Sequence, residues 1–291
     1  MFGITIEALS GQILIGLING SFYALLSLGL AIIFGLLHII NFAHGAFYML
    51  GGMATWWLLN YLGLNYWSAL LLAPLAVGVF GAALESSVLS RLRNDDPIYG
   101  LLLTFGLGLM IQSLFTALVG SAGLPYRIPS ALAGGWDLGF FFVPKYRAWI
   151  VGVSLVVCFT VWVVIEKTRL GSYLRAATED PHMVESFGIH VPRMIAITFG
   201  FGAALAGLGG VLAAPIYSVS PHMGVELVTI VFAVVVIGGM GSLLGGVIAG
   251  FGLGVIEGFA KIFYPEASTA VIFITMILVI MFRPQGLMGR Y

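Results

Sequence analysis

Glu257 and Lys261 stand four residues apart inside an apolar run, the spacing that sets an acid and a base on one face of a helix. Both lie near one end of that run, which suits a structural ion pair better than a proton relay. Glu85, six residues before Arg91, is another acid in apolar surroundings. A carboxylate within a membrane is a candidate functional group, although a position at a span end leaves it wet or paired. Asn19, followed by Gly20 and Ser21, interrupts a third apolar run. An amide at that depth needs a hydrogen-bond partner, and small neighbours let a second helix approach. Asn19 and Ser21 therefore read either as a helix–helix tie or as the lining of a pathway. Asn41 and His44 flank the tight turn Asn41-Phe-Ala-His-Gly45, where they serve as a cap for the next helix or as a pathway contact.

Other chemistries lack their residues. The five histidines are scattered, and His38 and His44 do not have the i, i+4 spacing that helps build a helical metal site, so no metal or cofactor is expected. Cys158 is the single cysteine, which excludes an internal disulfide, and its apolar run points to plain packing. No Gly-x-x-x-x-Gly-Lys-Ser/Thr sequence is present to cradle ATP phosphates. No nucleophile–base spacing suggests an enzyme. Net charge is zero, and no basic block points to nucleic acid.

The elements that must position these residues are membrane helices. Sixty per cent of the chain is hydrophobic, 8% is charged, and the mean hydropathy is +1.08, values of a polytopic membrane protein. With roughly 20 residues per span, the length holds about eight to ten helices, an all-α fold in one transmembrane domain over residues 1–291. Apolar windows place spans near 12–34, 44–63, 66–90, 98–119, 148–166, 194–217, 225–241, 246–263 and 268–283. Re-entrant segments at 35–45 or 225–245 would alter the count. The N-terminus lacks the basic region and cleavage site of a secretory signal, so the first span is expected to be retained. With the N-terminus outside, Arg91, Arg93, Lys167, Arg169, Arg175, Arg193, Arg283 and Arg290 fall in the cytoplasm, against Arg127, Lys145, Arg147 and Lys261 outside. Eight against four favours this orientation.

Seven of the 24 charged side chains (12 basic, 12 acidic) sit in the 27 residues from Lys167 to Arg193. Charge at a bilayer centre is expensive, so this stretch is a loop in water. Within it Asp180 caps a helix with Pro181 at its first position, Gly188 suits the left-handed stop, and Pro192 follows. The spacing predicts a helix near 181–187 with Met183, Val184 and Phe187 as its apolar residues. Two turns are marginal alone in water, so the helix must pack either on the protein's own spans and the lipid interface, or on a cytoplasmic subunit.

The runs Gly20-Ser-Phe-Tyr-Ala-Leu25, Ile40-Asn-Phe-Ala-His-Gly45, Arg169-Leu-Gly171, Arg175-Ala-Ala, Glu179-Asp180 and Gly188-Ile189 occur in this order. With Ile237-Gly-Gly-Met-Gly-Ser-Leu-Leu-Gly-Gly246 and Arg283-Pro-Gln-Gly286, the chain resembles the branched-chain amino-acid ABC permease family, in its LivH-type half. The resemblance implies an ABC importer subunit of the bacterial inner membrane that forms half of a pore. It makes 167–193 the ATPase-coupling loop, with Arg175, Glu179, Asp180, Met183, Val184, Phe187 and Gly188 as its contact residues. It implies a second related permease, two cytoplasmic ATPase subunits and a periplasmic substrate-binding protein, besides membrane lipid and a small-molecule substrate. Branched-chain or other apolar amino acids are the expected cargo; related systems carry urea, short amides or small aromatic acids. Asn19, Ser21, Asn41 and His44 are the candidate pathway residues. The rival of another class, an ion-coupled secondary transporter, needs a buried acid without a counter-charge, for which Glu85 is the best candidate.

Overall fold

The computed structural model describes residues 6–37, 41–93, 95–137, 139 and 142–289; His38, Ile40 and Arg290, named above, lie outside them. Nine helices occupy the nine apolar runs among the described residues: α1 (Ile6–Leu37), α2 (His44–Asn60), α3 (Tyr66–Ser87), α4 (Pro97–Val119), α5 (Lys145–Lys167), α8 (Val191–Tyr217), α9 (Met223–Gly238), α10 (Leu243–Phe263) and α11 (Ala270–Phe282). Two more, α6 (Arg169–Glu179) and α7 (Pro181–Ser186), fall in the charged loop. The segment 120–147 adds a two-stranded antiparallel ribbon, β1 (Gly135–Asp137) with β2 (Phe142–Pro144). No strand was expected in that segment, which the apolar windows leave as a polar connection.

Helix starts follow local chemistry. Asn65 accepts from the Ser68 N–H at the head of α3, Asp96 from Ile98 N–H before Pro97, and Ser242 from Gly245 N–H before α10. Among the described residues six helices are long and apolar enough to cross a membrane: Leu9–Gly35, Tyr66–Leu92, Pro97–Val119, Lys145–Lys167, Val191–Tyr217 and Leu243–Phe263. The others are short. At 1.5 Å per residue, α9 with 16 residues and α11 with 13 rise about 24 and about 20 Å, against a hydrocarbon core of about 30 Å. The expected run 225–241 overshoots because Gly239 and Gly241 take φ of +103° and +84°, which stops α9 at Gly238.

The chain divides into two compact units, one within Met1–Ser27, Arg127–Phe159 and Ile230–Tyr291, the other Leu28–Tyr126 with Thr160–Thr229. In the second, α2, α3 and α8 pack through glycines. A methyl on Gly51 would lie 2.0 Å from Gly207 O, one on Gly210 1.9 Å from Tyr48 O, and one on Gly200 2.6 Å from Gly78 O. Phe47 stands edge-on to Phe199 at 5.9 Å. In the first unit, a methyl on Gly254 would meet Gly16 O at 2.4 Å, which binds α10 to the start of α1. Small residues at the contacts suit association in lipid, where van der Waals packing replaces the hydrophobic drive. Gly202, Gly207 and Gly210, and likewise Gly245, Gly250 and Gly254, are thus packing surfaces. The first unit is closed by its tail: Leu287 N–H donates to Ile237 O at 2.8 Å and Met288 N–H to Gly238 O at 3.0 Å.

Candidate functional site

In the first unit a buried carboxylate collects three donors. Glu257 Oε2 accepts from Tyr23 Oη at 2.7 Å and from Asn19 Nδ2 at 3.2 Å, while Lys261 Nζ sits 2.7 Å from Oε1. The i, i+4 pair expected from spacing is present. Asn19 finds its partner on α10, 238 positions along the chain. Ser21 is fully buried, and its Oγ donates to Leu17 O at 2.8 Å in its own helix.

The second unit holds the Asn41–Gly45 turn. Asn41 Oδ1 accepts from Ala43 N–H at 3.0 Å, and its carbonyl accepts from His44 N–H at 3.3 Å. Asn41 thus closes the turn, and α2 begins without a side-chain cap. His44 is fully buried against α1, where a methyl on Gly29 would lie 3.1 Å from His44 Cε1. Phe42 N–H donates to Thr104 Oγ1 of α4 at 3.2 Å, and the Phe42 ring stands edge-on to Phe105 at 6.0 Å.

Beside this turn lies a cleft of about 70 Å³ between α2, α4 and the start of α9, lined by Phe42, Ala46, Met49, Leu109, Val225 and Val228 among others. Gln112, also on its wall, donates from Nε2 to His222 Nδ1 at 2.7 Å. Sequence reasoning missed this pair; the available signal was one amide in the otherwise apolar run 98–119. A larger groove of about 1140 Å³ runs between α2, α3 and α4 past Trp57, Leu72, Leu75, Val79 and Leu118. No charged or amide side chain lines it.

Glu85, expected to be wet or paired at a span end, is buried and ion-paired to Arg93. The 3₁₀ turn Leu89–Leu92 carries the chain on to bring Arg93 to it. An acid with its counter-charge in place does not fit an ion-coupled carrier.

The charged loop forms two helices. Asp180 Oδ1 accepts from Met183 N–H at 3.0 Å, Pro181 opens α7, and Gly188 has φ of +81°. Its three apolar residues divide: Val184 is 5% exposed, whereas Met183 is 61% and Phe187 78% exposed. Glu179, Asp180 and Glu185 also face outward. The preceding helix α6 was not expected. It folds back on α5 at Gly171, where a methyl would lie 1.6 Å from Ile165 O. Arg175 pins it there, 3.6 Å from Glu166 Oε2 and donating to Ile165 O at 3.4 Å.

Residues 12–280 match the family described as branched-chain amino acid transport system / permease component. The chain belongs to this permease family. It is 32% identical to the high-affinity branched-chain amino acid transport system permease protein BraD of Pseudomonas aeruginosa, over 96% of this chain and 95% of that one. The permease LivH of Escherichia coli K12 is 30% identical with the same coverage. The permease LivM of Salmonella typhimurium is 32% identical over 91% of this chain and 67% of its own. Among solved structures, PsaBC from Streptococcus pneumoniae aligns at TM-score 0.44 and 14% identity, over 96% of this chain and 90% of that one, too distant to bear on function. Two runs quoted for the family in sequence acquire roles here: Asn41–Gly45 closes the entry to α2, and Gly238–Gly246 joins α9 to α10.

Proposed function

We propose that this permease is the membrane subunit of an ATP-driven importer for branched-chain or other apolar amino acids, in a bacterial inner membrane, with residues 1–291 as one permease domain. The observation that carries the reading is α7. A capped two-turn helix with Met183 and Phe187 exposed has little stability of its own and presents two apolar side chains to a groove elsewhere. Helix α7 docks on a cytoplasmic ATPase subunit and transmits its closure, with Glu179, Asp180 and Glu185 available to basic residues around that groove. Val184, Gly188 and Arg175 hold the loop in shape from behind. Asn19, Ser21, Asn41 and His44 act on the pathway by fixing the helices that border it. The relatives' names support the cargo, and the match to both LivH and LivM supports pairing with a related permease on two ATPases, fed by a periplasmic binding protein. In this orientation the 167–193 loop and the C-terminus are cytoplasmic.

Affinity purification in mild detergent tests the assembly. One second permease and two ATPase subunits should copurify per copy of this chain. Recovery of the chain alone under conditions that keep a known importer intact would contradict it.

A further inference from the structure

We infer that the cleft between α2, α4 and α9 receives the aliphatic side chain of the transported amino acid, and that Gln112 on its wall, with His222 hydrogen-bonded to it, reads the substrate's polar end. The inference rests on the amino-acid importer reading and goes beyond it by naming a specificity site.

Size is the first argument. One water needs roughly 10–15 Å³ on the scale by which this cleft measures about 70 Å³, so it admits roughly five to seven heavy atoms. That suits a branched side chain of three or four carbons and excludes an indole. Chemistry is the second. With Gln112 Nε2–H donating, His222 Nδ1 is an acceptor, so the neutral ring carries its proton on Nε2. The pair therefore keeps a carbonyl acceptor, Gln112 Oε1, for an ammonium group and an N–H donor, His222 Nε2, for a carboxylate. An apolar slot with a donor and an acceptor beside it matches an apolar amino acid. Rigidity is the third. Gly45 and Gly224 are in backbone contact, a methyl on Gly224 falling 2.0 Å from Gly45 O, so two walls are fixed to each other. On the third wall Gly108 differs. A methyl there meets only Ala43 Cα and Phe42 O, both at 3.6 Å, ordinary van der Waals contacts.

Gly108→Ala therefore narrows the slot without disturbing the backbone, and Gly108→Val narrows it further. The complete transporter, reconstituted with its partner permease, ATPases and binding protein, takes up leucine or valine at saturating loaded binding protein. Loading is then the same for every variant, and each variant is referred to the parent for each substrate. The leucine-to-valine uptake ratio should fall stepwise, by about tenfold for Gly108→Val, the usual discrimination from one misfitting methylene. Gln112→Leu and His222→Ala, which add no bulk to the slot, should lower uptake of both amino acids with the ratio unchanged. An unaltered ratio in both Gly108 variants, whether uptake is normal or equally reduced, assigns the cleft to lipid or to plain packing and overturns the inference. Should Gly108→Val fail to assemble, Gly108→Ala and the two polar variants decide the matter alone. A parent transporter that moves neither amino acid with ATP fails one step earlier, at the importer reading itself.

Discussion

Glu257 shows what a single residue type discloses. That an acid and a lysine four apart would pair, and that Asn19 would need a partner, both follow from the cost of unpaired polar groups in an apolar medium. That Asn19 and Tyr23 would share one carboxylate did not follow, because no local pattern links positions 19 and 257. Removing one member of a buried ion pair costs about 3–5 kcal/mol, whereas replacing both is milder. Glu257→Ala should lower the melting temperature in detergent well below the parent's, and Glu257→Gln, which still accepts from Asn19 and Tyr23, should lower it less. Equal melting for the parent and Glu257→Ala would show that the network holds nothing. Glu85 gives the parallel test. Arg93→Leu should destabilise more than Glu85→Leu/Arg93→Leu together, since the single change strands a buried charge. The reverse order in thermal unfolding would contradict the pairing.

At the scale of the element, α7 was legible in the sequence and α6 was not. Asp180, Pro181 and Gly188 each have one preferred place in a helix, so they bracket α7 without tertiary information. Helix α6 begins at Arg169 with Gly, Ser and Tyr in its first turns, poor formers that hide it; tertiary packing of Gly171 on Ile165 stabilises it instead. The two sides of α7 give opposite predictions. Phe187→Asp removes an exposed apolar contact worth about 1.5–3 kcal/mol when buried, hence roughly tenfold to a hundredfold or more in ATPase affinity, while the folded chain is unaffected. Val184→Asp places a charge where only 5% of the residue is exposed, and should disorder the loop itself. Pull-down of the ATPase subunits, with stimulated ATP hydrolysis, separates these. Normal assembly and hydrolysis in Phe187→Asp would remove α7 from the coupling mechanism. Gly171→Ala should lose coupling as well, by pushing α6 off α5.

For the whole molecule, hydropathy located all nine apolar helices, because length and apolar content are set by the bilayer. It could not tell full crossings from the short helices α9 and α11, and the end of α9 depends on the backbone angles of Gly239 and Gly241. The Gln112–His222 cleft was hidden for a related reason: its walls come from three separated segments, and their meeting is a matter of packing. Orientation is tested by cysteines placed at Ser172 and Ser130 in a background without Cys158; an impermeant thiol reagent should reach them from opposite sides. The central claim is that this chain moves amino acids only as part of an ATP-driven assembly. Uptake of radiolabelled leucine into proteoliposomes decides it most directly. Accumulation should require the partner subunits, binding protein and ATP on the loop side, and should persist when ionophores collapse proton and sodium gradients. Accumulation by this chain alone on an imposed gradient would contradict the account.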